Sequence, residues 1–258
     1  SQKFFLEKKN IELRFPVITN SSHAFFEKEG EINSWETHFS ELAIPYNIED
    51  IISYVKREGL ENLIAVDATA SSKLVKSYIK LIENDFHIVS ANKIANTLNF
   101  NFYKELREKL KQYDKHYLYE TNVGAGLPII NTVRDLHFSG DQITKIKGVF
   151  SGSLSYIFNR FANEEVLFSD ILKDAEKLGY TEPDSREDLS GNDVARKLLV
   201  LAREIELDTE FSDINITSLL LPNLNETHSK PEYAIRKNLF DEPYRIAKIT
   251  QIEGHVLR

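Results

Sequence analysis

The sequence predicts an α/β fold built on a doubly wound parallel sheet, and three observations carry that prediction. Short β-rich runs alternate with helical patterns through the first half of the chain. Polar loops follow the carboxyl ends of those runs. Thr69, Lys93 and Glu120 stand at those ends, where ligands bind in sheets of this kind.

Residues 11–17 (IELRFPV) read as a strand running into the loop Thr19-Asn20-Ser21-Ser22. Asn47 and Asp50 have the form of a helix cap, and Ile48, Ile51, Ile52 and Val55 follow at helical spacing until Gly59 ends the run. Residues 63–66 (LIAV) form a short buried strand, then come Asp67-Ala68-Thr69-Ala70 and a helix over about 71–84. Residues 86–89 are a further strand with Lys93 just past its end, and a long helix over 99–113 leads to a strand at 117–120. The second half reads as α+β. A helix over 126–138 precedes a strand at 143–150, helices follow at 153–161, 169–178 and 190–205, and 214–221 has strand character. Residues 222–231 are polar and proline-bounded, as in a loop. The change of pattern divides the chain into units 1–125 and 126–258. No internal repeat or low-complexity tract is present.

At 258 residues the chain has room for one large domain or two close ones, and 41% apolar residues suffice for a sizeable core. A net charge of −8, with no dense basic face, argues against a nucleic-acid partner. No apolar run approaches the ~18 residues of a membrane span, and no signal-peptide pattern opens the chain. Absence of cysteine excludes disulfides, zinc ribbons and thiol nucleophiles, and fits a reducing, cytoplasmic setting. A chain of this length without methionine is expected to be an excerpt from a longer protein.

Four segments carry chemistry. The densest is GYTEPDSREDLSGNDVARK at 179–197, with five carboxylates leading into a helix that bears Asp193 and Lys197 four apart on one face. A capping box from Ser190 to Asp193 and a solvated ion pair account for the same spacing without any function. The second is ETNVGAGLP at 120–128, a turn that can offer a carboxylate and backbone oxygens to a hard cation, or simply join a strand to a helix. Ser90-Ala91-Asn92-Lys93 places a lysine at a strand end, facing the expected ligand crevice. In SGSLSYIF, residues 151–158, small residues at a helix start permit close approach of a ligand, although capping by Ser151 or Ser153 explains them equally.

Taken in order, ANK, ETNVGAGLPII, GVFSGSLSYIFNRF and LGYTEPDSREDLSGNDVARK resemble homoserine dehydrogenase over essentially the whole chain. The likeness is greatest to the dehydrogenase half of bifunctional aspartokinase/homoserine dehydrogenases, partly through INSWETHFSELAIPYNIEDII at 32–52. The resemblance implies a Rossmann-like nucleotide-binding unit, a substrate and dimerisation unit, and interconversion of L-homoserine and L-aspartate 4-semialdehyde. By matching position, Lys197 corresponds to the proton donor, and Glu182, Asp188 and Asp193 to carboxylates that bind the amino acid. Lys93 corresponds to the lysine near nicotinamide and substrate, and Thr69 and Ala70 to the loop that touches the cofactor. Glu120, Val123, Ala125 and Leu127 correspond to a sodium site of one carboxylate and three carbonyls. The chemistry agrees: hydride reaching an aldehyde carbon leaves an alkoxide, which an adjacent ammonium stabilises and protonates.

One departure from the family stands out. No G-x-G-x-x-G turn occurs in the sequence, whose first glycine is Gly30, so the chain is expected to begin inside the helix after that turn. It is likewise expected to stop, at EGHVLR (253–258), short of a further β-rich region, leaving a fragment that binds dinucleotide weakly and turns over little. NADP is favoured over NAD because the 19–22 loop has no acidic residue for a ribose hydroxyl, with Arg14 and Lys28 as candidate phosphate partners. A homodimer or larger assembly is implied through the region 126–150. The competing reading is a non-catalytic oligomerisation or regulatory module of a fused aspartokinase. The five polar residues Lys93, Lys197, Glu182, Asp188 and Asp193 weigh against it.

Overall fold

The computed structural model describes residues 2–27, 35–182, 184–225 and 229–250. Helix α1 (Gln2–Lys9) leads to a small antiparallel sheet of β1 (Val17–Thr19), β2 (His23–Phe26) and β3 (Ile44–Pro45), with α2 (Trp35–Leu42) before β3. Of the strand expected at 11–17, only Val17 lies in a strand, and that strand is antiparallel. Pro16 has no amide to give a ladder. Asn20 Oδ1 accepts from the Ser22 and His23 amides at 2.9 and 2.8 Å, folding the chain into a hairpin. Helix α3 (Ile48–Arg57) has the cap that the sequence indicated, in the form of a complete capping box of Asn47 and Asp50.

The parallel sheet consists of β4 (Ile64–Asp67), β5 (His87–Ser90) and β6 (Tyr117–Leu118), in that order. Ile88 and Tyr117 point into a core with Tyr78, Ile82 and Leu106. The opposite face leaves Ile64, Val66 and Leu118 exposed. The helix expected at 71–84 is broken into α4 (Ser72–Val75) and α5 (Tyr78–Ile82). The Ser77 amide reaches back three residues to Leu74, and the tightened turn aims Tyr78 at Asp67. After β5 come α6 (Ile94–Thr97) and α7 (Phe100–Gln112), and a short 3₁₀ turn (Glu120–Asn122) precedes α8 (Ile129–Phe138).

Beyond residue 122 the described elements are helical: α9 (Gly152–Asn163), α10 (Phe168–Lys177), α11 (Arg186–Leu189), α12 (Asn192–Glu204), α13 (Pro222–Asn225), α14 (Lys230–Arg236) and α15 (Asp241–Ile249), with further 3₁₀ turns. The strands expected at 143–150 and 214–221 are not formed. A strand needs a neighbour to satisfy its amides, and among the described residues neither segment has one. Ile143, Ile146 and Phe150 instead pack on the core of the parallel sheet. The loop expected at 222–231 contains α13 and the start of α14, where Pro231 occupies the first turn and costs no hydrogen bond.

There are two apolar cores. The first lies under the parallel sheet and takes in Ile130 and Val133 of α8 and Val200 and Leu201 of α12. The second joins α9, α10, α14 and α15 around Phe168 and Phe240, with Leu189 of α11. Glu204 ties α12 to the sheet. Its buried carboxylate accepts from Arg134 Nε and Nη2 at 3.0 and 2.8 Å and from the Tyr119 hydroxyl, with Arg107 at 3.8 Å. Loss of one partner from such a buried set costs about 3–5 kcal/mol, so the C-terminal end of α12 is held firmly against the sheet.

Candidate functional site

Helix α12 follows the N-cap Gly191, whose φ of +80° suits glycine; a Cβ there would stand 3.0 Å from Ile216 Cγ2. The capping box expected from Ser190 to Asp193 is not made. Ser190 Oγ donates to Glu187 O and accepts from the Asn192 amide, which leaves the Asp193 carboxylate for other partners. Those partners are two lysines. Lys197 Nζ lies 2.7 Å from Asp193 Oδ2, and Lys93 Nζ lies 3.4 Å from Oδ1. Burial acts to raise the Asp193 carboxyl, but the hydrogen bond from Lys197 and the charges of Lys93 and Lys197 outweigh it and hold the group below the usual carboxylate range.

Lys197 Nζ also donates to the Phe150 carbonyl at 2.6 Å. One residue on, Ser151 Oγ accepts from the Leu154 amide, capping α9, and shares a 2.8 Å hydrogen bond with Ser153 Oγ. Ser153 donates to Asp188 Oδ1 at 2.6 Å, and Asp188 Oδ2 accepts from the Glu182 amide at 2.9 Å. Residues 150–153 thus join the lysine pair to the carboxylate cluster. The Glu182 side chain is exposed.

Thr69 and Ala70 lie exposed in the loop after β4. That loop is pinned by Asp67, whose Oδ1 accepts from the Thr69 amide at 2.8 Å. Lys93 precedes α6, after β5, so loop and lysine share the carboxyl edge of the sheet. An exposed backbone segment beside a cation at that edge fits the nicotinamide end of a dinucleotide. Arg14, considered for a phosphate, is 3.7 Å from Glu27, while Lys28, Gly30 and residues 253–258 lie outside the described residues.

At the second turn, Glu120 caps α8: Oε1 accepts from the Ile130 amide at 2.9 Å and Oε2 from Asn131 at 3.1 Å. Gly124 has φ +82°, and a Cβ on it would lie 2.5 Å from Ile129 Cγ1. Leu127 O accepts from the Ile129 amide, while the carbonyls of Val123 and Ala125 accept nothing among the described residues. Carbonyl and carboxylate oxygens are the donor types of a hard monovalent cation, and the Glu120 carboxylate is here taken by the amides of Ile130 and Asn131.

Sequence reasoning missed Asp67, Asn92, Asn122 and the Phe150 carbonyl. Asp67 and Asn92 had a local signal, their places beside Thr69 and Lys93; Asn122 and the Phe150 carbonyl act through contacts distant in sequence.

A family model described as homoserine dehydrogenase matches residues 128–256, and one described as the NAD-binding domain of homoserine dehydrogenase matches 3–120. The bifunctional aspartokinase/homoserine dehydrogenase of Buchnera aphidicola is 41% identical over 260 residues, covering 100% of this chain and 32% of that protein. A chloroplastic counterpart in Zea mays is 40% identical over 255 residues, covering 98% and 28%. The chain therefore spans about a third of the length of these curated relatives. A Candida auris protein of unknown function superposes with TM-score 0.76 at 31% identity, covering 89% of this chain and 65% of that one. A hyperthermophilic archaeal homoserine dehydrogenase in complex with NADPH gives TM-score 0.62 at 24% identity, covering 79% and 64%, a likeness of fold. With both halves matched by its models, the chain belongs to the homoserine dehydrogenase family.

Proposed function

We propose that this chain forms the dehydrogenase part of an enzyme that interconverts L-homoserine and L-aspartate 4-semialdehyde with NADP or NAD. The observation that carries the reading is the chain Lys93–Asp193–Lys197, set across the carboxyl edge of the parallel sheet from residues 100 apart in sequence. A bound nicotinamide supplies or accepts the hydride. Lys197 holds a proton at Nζ, stabilises the alkoxide oxygen formed from the aldehyde and protonates it; in the reverse direction it accepts the hydroxyl proton. Asp193 keeps that ammonium in place from one side and the Phe150 carbonyl from the other. Asp188 and Glu182 supply negative charge for the substrate ammonium. Lys93 and the Thr69–Ala70 loop bind the nicotinamide end.

A sodium ion at Glu120, Val123, Ala125 and Leu127 belongs to the same proposal, supported by the two free carbonyls. So does a homodimer or larger assembly, supported by exposed Leu136, Phe138 and Val149 in the region 126–150. No described helix is long and apolar enough to cross a membrane, and a cytoplasmic setting rests on the cysteine-free composition. The test is homoserine-dependent reduction of NADP and of NAD by the full-length gene product. No turnover with either, in protein that binds NADPH, would sink the assignment.

A further inference from the structure

Asn92 is 2% exposed, yet every polar atom of its side chain is engaged. Oδ1 accepts from the Ile94 amide at 3.0 Å, a local turn. Nδ2 reaches much further: it donates to Asp67 Oδ2 at 3.0 Å and to the Ser71 carbonyl at 3.1 Å, residues 25 and 21 positions earlier. Asp67 in turn takes the Tyr78 hydroxyl at 2.6 Å and the Thr69 amide at 2.8 Å. The buried chain continues through Ser90 and Asn122, whose Nδ2 donates to the Ser90 carbonyl at 3.2 Å. A turn-forming asparagine needs only the first of these contacts.

We propose that Asn92 is a positioning residue, which fixes the Thr69–Ala70 loop after β4 against Lys93 after β5 so that cofactor and lysine pair meet in one geometry. The inference rests on the nicotinamide-dependent reading above. Loops at a sheet edge are otherwise the mobile part of such a fold, and a misplacement of about 1 Å between reacting groups costs on the order of 100-fold in rate. Asn92 touches neither the exposed loop surface nor the Lys93 ammonium in the described contacts; it acts on the loop through Asp67 and the Ser71 carbonyl and on the lysine segment through the Ile94 amide.

The decisive variant is Asn92→Asp, which keeps size and shape but sets a second carboxylate against Asp67. Two carboxylates in buried contact retain a shared proton to higher pH than either would alone. Protonated, the new side chain donates its one hydrogen bond to Asp67 and leaves the Ser71 carbonyl without its donor; ionised, it also repels Asp67. The titratable groups facing Asp67 are Tyr78 from α5 and Tyr117 from β6. Burial pushes both phenols up, so neither changes charge near neutrality.

In the full-length gene product, NADPH binding is followed by nicotinamide fluorescence and homoserine oxidation by absorbance, at about pH 6 and about pH 8. Asn92→Asp should bind NADPH about tenfold more weakly than wild type at the higher pH, the worth of one or two hydrogen bonds, and recover about half of that loss in free energy at the lower, where the bond to Asp67 returns but the one to Ser71 does not. Its kcat should follow the same course while KM for homoserine stays within about twofold. Asn92→Ser, uncharged and too short for either bridge, should show the weakening without the recovery, and serves if Asn92→Asp does not fold. Wild-type NADPH binding by either variant at the higher pH overturns the positioning role. A wild type that binds NADPH but does not oxidise homoserine overturns the reaction assigned above, and the binding titration still decides on Asn92.

Discussion

Replacing Lys197 with alanine removes an ammonium that meets Asp193 at 2.7 Å and the Phe150 carbonyl at 2.6 Å. The structural loss is modest. An i,i+4 pair on a helix is worth about 0.3–0.5 kcal/mol, and Asp193 keeps Lys93 at 3.4 Å as a counter-charge. The hydrogen bond to Phe150 adds about 1.5–3 kcal/mol at most, so the variant should fold at room temperature with a lowered melting point. The catalytic loss is of another order. A positioned proton donor contributes about 10²–10⁴ in rate, or about 3–5 kcal/mol of barrier. Turnover of the full-length gene product should therefore fall by that factor with NADPH affinity unchanged, because Lys197 is assigned no cofactor contact. Lys197→Arg should rescue stability but not turnover, since a guanidinium does not release its proton near neutrality. The assay is steady-state oxidation of homoserine, with nicotinamide fluorescence for binding and thermal melting for fold. Turnover within about threefold of wild type in Lys197→Ala would refute the proton-transfer role.

Glu120→Ala should lower stability by about 1 kcal/mol through loss of the cap on α8, whereas Glu120→Gln keeps an acceptor and most of that stability. If the turn binds sodium, both variants should lose any dependence of activity on sodium; a dependence retained in both makes Glu120 a helix cap only. Asp193 is held below its ordinary value of 3.8, so its ionised form stabilises the fold above that pH and the contribution is lost as pH falls through the lower, folded value. Melting curves of Asp193→Asn between about pH 2 and 6 should thus lie below wild type at the upper end and converge with it at the lower; a constant offset would contradict this. Solution scattering of the full-length gene product should give at least twice the monomer mass, and a monomeric mass for active protein removes the assembly proposal.

The elements that sequence reasoning located well are those with local causes. Asn47 and Asp50 close their capping box over four residues, and α3 forms as read. The parallel strands carry their apolar residues in short runs bounded by polar loops, and β4 and β5 fall within a residue of expectation. The failures have non-local causes. Residues 143–150 have the composition of a strand, but strand formation depends on a neighbour that composition cannot supply, and their apolar side chains pack on the core of the parallel sheet instead. Ser190 and Asp193 have the spacing of a capping box, yet two lysines compete for the same carboxylate and Gly191 takes over the cap.

The site shows the same division. Asp193 and Lys197 are legible as a pair because helical periodicity brings them together, but an identical spacing describes many surface ion pairs. What separates them from such pairs is Lys93, which arrives from a different strand end and has no local relation to either. The geometry of α12 explains why this meeting place is stable. Its later residues Val200 and Leu201 belong to the core beneath the parallel sheet, while Leu189, just ahead of its start, belongs to the second core. Asp193 and Lys197 fall between those anchors, on the helix that spans both. The sheet edge presents Lys93 from one side, and the start of α9 presents the Phe150 carbonyl and Ser153 from the other. A shift of one core relative to the other would therefore change the Lys93–Asp193 distance before it changed Asp193–Lys197, because only the first of these contacts crosses from the sheet edge to α12.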